Sequence, residues 1–161
     1  MITKNYRKVG ILIVFLVIFL DQVTKWWVLN IALISSTAVA LTDFFNLVIV
    51  WNSGASFGIF SDGPDWVRFA LILFAAIICI ILLIWLMQSE SNVCIVALGL
   101  IIGGAVGNSI DRIRFGSVLD FLDIHIGHLH WPAFNIADSG ITIGVALLIF
   151  DSLKPKRLSC K

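Results

Sequence analysis

Charge is scarce in this sequence. Asp, Glu, Lys and Arg make up 13% of its 161 residues against 60% hydrophobic, well short of the roughly 25% charged residues of a soluble domain. That imbalance excludes an ordinary soluble globule and places the chain in lipid. A basic excess is also missing. With a net charge of +1 and no basic stripe interleaved with aromatics, nothing steers the chain toward a polyanion, and no nucleic-acid partner is expected. Cysteine is limited to Cys79, Cys94 and Cys160, which show no metal-ligand spacing. The first two lie in apolar segments, where a thiol behaves as a small hydrophobe, so none is given a chemical role. Leu158-Ser159-Cys160 has the letters of a lipid-attachment box, but it follows a basic stretch instead of a signal segment and is read as coincidence. The basic start and apolar run to Leu20 lack the small-residue cleavage site of a signal peptide and lead into Asp21-Gln22-Val23-Thr24-Lys25, so a retained first span is expected. Internal repeats and low-complexity tracts are absent, which gives one domain over 1–161.

What the chain does have is four apolar stretches, at about 9–28, 66–87, 93–110 and 134–150, each near the roughly 20 residues that cross ~30 Å of hydrocarbon. The expected fold is an all-α membrane protein, a bundle of four transmembrane helices. Lys4, Arg7 and Lys8 precede the first stretch and Lys154, Lys156, Arg157 and Lys161 follow the last, so the positive-inside rule puts both termini in the cytoplasm. The long connections at about 29–65 and 111–133 then face outward, with Trp26, Trp27, Trp51, Trp66 and Trp131 at their edges as an interfacial belt. Within the first, residues 44–51 are rich in Val, Ile and Phe, Asn52-Ser53-Gly54 reads as a turn before 55–60, and Ser61-Asp62-Gly63-Pro64 as a second turn. A small surface β-hairpin is expected there.

Ionisable side chains in or beside a span are costly and are functional candidates by default. Asp21 and Lys25 are four apart, acid first, the better order for an ion pair on one helical face. Either a fixing ion pair or a part in substrate handling accounts for them. Asn108, Asp111 and Arg112 fall at i, i+3 and i+4, on one face with opposite charges adjacent, and are read as bracing a site. Gly103, Gly104 and Gly107 before them allow close helix packing. Asp120 and Asp138 each sit among apolar neighbours. Brought together in a poorly solvated place, two carboxyl groups share one proton, and one can accept from water while the other donates to a scissile carbonyl. The competing reading makes Asp138 a helix cap and leaves Asp120 solvated. His125, His128 and His130 lie in a loop without a standard ligand pattern and are read as interfacial or exposed, with no metal expected.

Five stretches, in order, resemble the bacterial lipoprotein signal peptidases, or signal peptidase II. They are Asp21-Gln22-Val23-Thr24-Lys25, Asn52-Ser53-Gly54-Ala55-Ser56-Phe57-Gly58, Gly107-Asn108-Ser109-Ile110-Asp111-Arg112, Val118-Leu119-Asp120-Phe121 and Phe134-Asn135-Ile136-Ala137-Asp138-Ser139. The resemblance implies an aspartic endopeptidase of the bacterial cytoplasmic membrane that cuts a prolipoprotein just before its diacylglyceryl-modified cysteine, and Asp120 and Asp138 become the catalytic pair. It implies that Asn52, Gly54, Asn108, Asp111, Arg112 and Asn135 line or brace the site, with Asp21 and Lys25 at its membrane-facing rim, and that residues 44–60 form an extracytoplasmic β-cradle. The histidine-bearing stretch 125–130 is a departure from the family pattern, and its role stays open.

A water-attack mechanism on two carboxyl groups requires neither metal nor organic cofactor, and none is expected. The implied partners are diacylglyceryl-modified prolipoproteins and membrane lipids, with the chain acting as a monomer. A proton-coupled transporter is the alternative from the residues alone, and a scaffold with polar glue a third. The first fits poorly because the acids gather at one membrane face, and the second leaves Asp120 without a purpose.

Overall fold

The computed structural model describes residues 3–32, 36–54 and 66–153. Helix α1 spans Thr3–Trp27 and continues as a π-helical turn over Val28–Ala32; α2 is Trp66–Gln88, α3 Asn92–Phe115 and α4 Ile136–Ser152. Strands β1 (Ala38–Thr42), β2 (Phe45–Asn52), β3 (Val118–Ile126) and β4 (Leu129–His130) form one antiparallel sheet in the order β1-β2-β3-β4. The expected cradle segment 55–60, the turn at 61–64 and the basic C-terminal stretch 154–161 with Cys160 lie outside the described residues.

Among the described residues, three helices are long and apolar enough to cross a membrane: Tyr6–Ala32, Trp66–Gln88 and Asn92–Phe115. Helix α2 is apolar on every side, and Phe69, Leu73, Phe74, Ile77, Ile80 and Ile84 stand exposed along it, as on a helix solvated by lipid. Helix α3 is the buried centre, with Ile95, Leu98, Ile101 and Ile102 packed inside. Glycine lets its neighbours close in. A Cβ on Gly103 would stand 2.9 Å from the carbonyl oxygen of Val14 on α1, and one on Gly104 would collide with the carbonyl oxygen of Ala137 on α4. The small-residue packing expected at these positions is therefore what joins α3 to both neighbours.

The ends of α3 are set by capping. Ser91 Oγ accepts from the Cys94 backbone N–H at 3.3 Å and donates to Asp151 Oδ2 at 3.0 Å, which ties the start of α3 to the end of α4. At the other end Gly116 adopts φ +83° and its N–H closes on the Arg112 carbonyl, the left-handed stop that glycine permits. The helix thus runs five residues past the expected boundary at 110, because Ile110–Phe115 remains helical and Arg112 and Arg114 suit the negative end of the helix dipole.

The expected connection over 111–133 is corrected in the same way, since most of it is helix or strand. Strand β3 pairs with β2 in the register Val50↔Asp120, Trp51↔Leu119 and Asn52↔Val118. A single hairpin near 44–51 was too small an expectation. Val28, Leu47, Leu119 and Phe121 form a buried cluster that seats the sheet on the π-helical turn of α1. Phe134 then bridges to β3: the backbone N–H groups of Phe121 and Leu122 donate to its carbonyl at 3.0 and 2.8 Å, and its own N–H donates to Leu122 O at 3.1 Å. This clamp delivers Asn135 and the start of α4 beside Asp120. Helix α4 begins at Ile136, two residues later than expected, and its 17 described residues span ~26 Å at 1.5 Å per residue.

Candidate active site

The site grows from two polar clusters at one end of the helices. In the first, Lys25 Nζ lies 2.8 Å from Asp21 Oδ2 and 2.7 Å from Asp111 Oδ2. All three side chains are buried: Asp21 is 0% exposed, Asp111 1% and Lys25 4%. The pair Asp21–Lys25 forms as its i, i+4 spacing predicts, but its placement at a membrane-facing rim is corrected, for it lies in the interior between α1, α3 and α4. Asp111 completes a triad with Lys25, whose one ammonium is shared by two buried acids. The remaining oxygens are occupied. Ala137 N–H donates to Asp21 Oδ1 at 3.0 Å, Leu119 N–H to Asp111 Oδ2 at 3.2 Å, and Gln22 Nε2 to Asp111 Oδ1 at 2.9 Å. Gln22 had no assigned part in the sequence reading; its place directly after Asp21 at the polar end of a span was the signal available.

Asp120 and Asp138 form the second cluster, and one residue holds both. Asn135 Nδ2 donates to Asp120 Oδ1 at 2.8 Å, and the Asn135 backbone N–H donates to Asp138 Oδ2 at 3.1 Å. The Asp138 N–H returns a bond to Asn135 Oδ1 at 2.9 Å, completing a capping box. Asp138 is therefore a helix-capping residue and a neighbour of Asp120 at once, so the two sequence readings were not exclusive. Asn108 Nδ2 donates to Asp138 Oδ1 at 2.8 Å, and Asn52 Nδ2 donates to Asp120 Oδ2 at 3.2 Å. Asp120 is not a solvated loop acid: it lies on β3, 3% exposed. Burial foremost, then the negative charge of Asp138, pushes its carboxyl up to about 7, against the opposing pull of hydrogen bonds from Asn52 and Asn135 and the charge of Lys25. Near neutral pH Asp120 thus carries a proton about half of the time, beside a second carboxyl group.

The clusters are joined by Asn108, whose Oδ1 accepts from Asn135 Nδ2 at 3.2 Å and from Lys25 Nζ at 3.4 Å. Arg112 reaches over to the sheet side: Nη2 donates to the Gly54 carbonyl at 2.6 Å and Nη1 to the Asn108 carbonyl at 3.4 Å. Its Nε is buried and has no hydrogen-bond partner among the described residues. Asn52 ends β2 rather than opening a turn, though its Oδ1 accepts from Gly54 N–H at 3.2 Å. The residues expected to form or brace the site, from Asp21 to Asp138, belong to this one network. His125, His128 and His130 stand apart on the β3–β4 hairpin.

A family model described as signal peptidase (SPase) II matches residues 13–154. The chain belongs to that family. A lipoprotein signal peptidase of Paraburkholderia phymatum is 46% identical over 144 residues, covering 88% of this chain and 86% of the relative. One from Rhodopseudomonas palustris is 41% identical over 151 residues, covering 91% and 92%. A solved bacterial membrane enzyme superposes with a TM-score of 0.79 at 35% identity over 91% of this chain and 88% of its own. Family membership makes this a peptidase, and three apolar helices together with a membrane-enzyme neighbour make it a membrane protein. The transporter and scaffold readings fall away.

Proposed function

We propose that the chain is an aspartic endopeptidase that removes the signal peptide from diacylglyceryl-modified prolipoproteins, cutting just before the lipidated cysteine, with Asp120 and Asp138 as the catalytic pair. The lipoprotein signal peptidases to which it is similar supply the substrate class. The observation that carries the catalytic assignment is the double grip of Asn135, which fixes both carboxyl groups with atoms of one residue. Water held between the acids gives a proton to Asp138 as it attacks the scissile carbonyl, and Asp120 donates its proton to the carbonyl oxygen. The carboxyl groups supply both acid and base, and Arg112 with the amides of Asn52 and Asn108 offers donors to the developing charge. No step is routed through a metal or organic cofactor, nor through a covalent enzyme intermediate.

Helix α4 serves as a fourth span, since its 17 residues are the short limit of a membrane crossing. An even number of spans and the basic terminal stretches put both termini in the cytoplasm and the site at the outer face of the bacterial inner membrane, in a single domain acting as a monomer. There the cleavage point of a membrane-embedded signal helix meets water, while the sheet holds the peptide flanking it. Gly54, Asp21 and Lys25 support the site without touching the reacting atoms. Cleavage by purified protein of a diacylglyceryl-modified prolipoprotein and of its unmodified form, with and without a chelator, tests the proposal. Rapid cleavage of the lipidated form alone, insensitive to chelation, is expected. Equal cleavage of both forms, or loss of activity restored by added metal, overturns it.

A further inference from the structure

The β3–β4 hairpin carries groups that the peptidase chemistry does not use. His125 and His130 are directly paired across the antiparallel strands, and their rings stack with centroids 4.7 Å apart and planes 18° from parallel. Cross-strand partners project to the same face of a sheet. The hydrogen bonds on these rings settle their tautomers. His125 Nδ1 lies 3.2 Å from the Gly127 carbonyl oxygen, which can only accept, so Nδ1 carries the proton. His130 Nδ1 lies 2.9 and 3.0 Å from the two carboxylate oxygens of Asp123, so in its neutral form it too is protonated at Nδ1. Each neutral ring therefore presents an unprotonated Nε2 lone pair. On His125 that atom is buried and has no hydrogen-bond partner among the described residues, a position that calls for a partner.

Behind His130 the support is built in depth. Asn46 Nδ2 on β2 donates to Asp123 Oδ2 at 2.8 Å. An imidazole whose Nδ1–H is given to a carboxylate or a backbone carbonyl, leaving Nε2 bare, is the arrangement that orients metal-binding histidines. Here both rings have it, one of each kind. Two metal–nitrogen bonds of about 2.0–2.1 Å at a tetrahedral angle set nitrogens roughly 3.3 Å apart, so the two rings must turn out of their stack for both lone pairs to meet one ion.

We propose that His125 and His130 form a binding site for a divalent transition-metal ion of the zinc or copper class, with Asp123 and Asn46 as positioning residues and solvent completing the coordination. Imidazole nitrogen suits these ions and does not suit magnesium or calcium. The site is separate from the catalytic pair: Asp120 lies five residues earlier on β3, about 16 Å along an extended strand. It is no part of the hydrolytic chemistry.

The test is titration of tag-free, full-length protein in detergent with Zn2+ by calorimetry, and with Cu2+ by electron paramagnetic resonance. One equivalent of Zn2+ and a copper spectrum with nitrogen couplings are expected. Either His125→Ala or His130→Ala abolishes both, and Asp123→Asn weakens zinc binding about 10- to 100-fold. All three variants keep their thermal midpoint and peptidase rate, which shows that the hairpin still folds. Lack of a one-equivalent isotherm in the wild type overturns the proposal. So does binding that survives in His125→Ala and His130→Ala, including binding lost only on His128→Ala, because the ion then sits elsewhere.

Discussion

Two carboxyl pairs lie side by side in this molecule and are held in opposite ways. Asp21 and Asp111 close on the ammonium of Lys25 at 2.8 and 2.7 Å. Among the described residues Asp120 and Asp138 receive only neutral donors, the amides of Asn52, Asn108 and Asn135 and one backbone N–H. Asp21, Asp111 and Asp120 are all buried and Asp138 is half-buried, so burial alone does not separate structure from chemistry. The partner does. A carboxylate closed on a cation is tied into the contacts that pack three helices together. Two carboxyl groups held only by amides cannot both ionise at low cost, and they keep a proton ready for transfer.

The comparison can be broken most severely at the amide-held pair. Asp120→Asn and Asp138→Asn each remove one half of the acid–base machinery and are expected to slow cleavage of a lipidated prolipoprotein about 10³-fold or more. Their thermal midpoints in detergent should stay near that of the wild type. Lys25→Met reverses the pattern. It strands two buried carboxylates and is expected to cost about 3–5 kcal/mol of stability, read as a large fall in the melting midpoint, and adding Asp111→Asn to it should restore part of the loss. If Lys25→Met melted like the wild type, the structural role of that triad would be lost.

Asn135→Ala sharpens the boundary because it removes a donor from Asp120 and the cap of α4 together. About a hundredfold loss of rate is expected from the missing amide, with only ~1 kcal/mol of stability from the cap. Gly107→Ala is the mildest. Its Cβ would stand 2.8 Å from Asp21 Oδ2, so the triad must shift, and a stability loss of about 1–3 kcal/mol is expected with the catalytic rate little changed.

The sequence made the side chains of this network visible but hid its geometry. The pairing of Asp21 with Lys25 and the shared face of Asn108 and Asp111 follow from helical spacing, which is local. The second partner of Lys25 is not local, because Asp111 reaches it across a helix interface that glycine packing alone decides. Strand β3 was illegible for a different reason. Val118, Leu119, Asp120 and Phe121 are all buried, so the alternation that marks a half-exposed strand is absent. The capping box of Asn135 and Asp138 was readable from an Asn three residues before an acid, yet its second duty toward Asp120 depends on the Phe134 clamp to β3.

The claim that a proton resides on Asp120 beside Asp138 is tested most directly by the pH dependence of single-turnover cleavage of a lipidated prolipoprotein. With the Asp120 carboxyl raised to about 7, its proton is held below that pH and lost above it. The stability that this raised value contributes is likewise fully present only below the ordinary Asp value and disappears as pH rises through about 7. The account predicts a rate that falls about tenfold per pH unit on the alkaline side of about 7. A rate that holds level or climbs across that range in a protein that remains folded would contradict it.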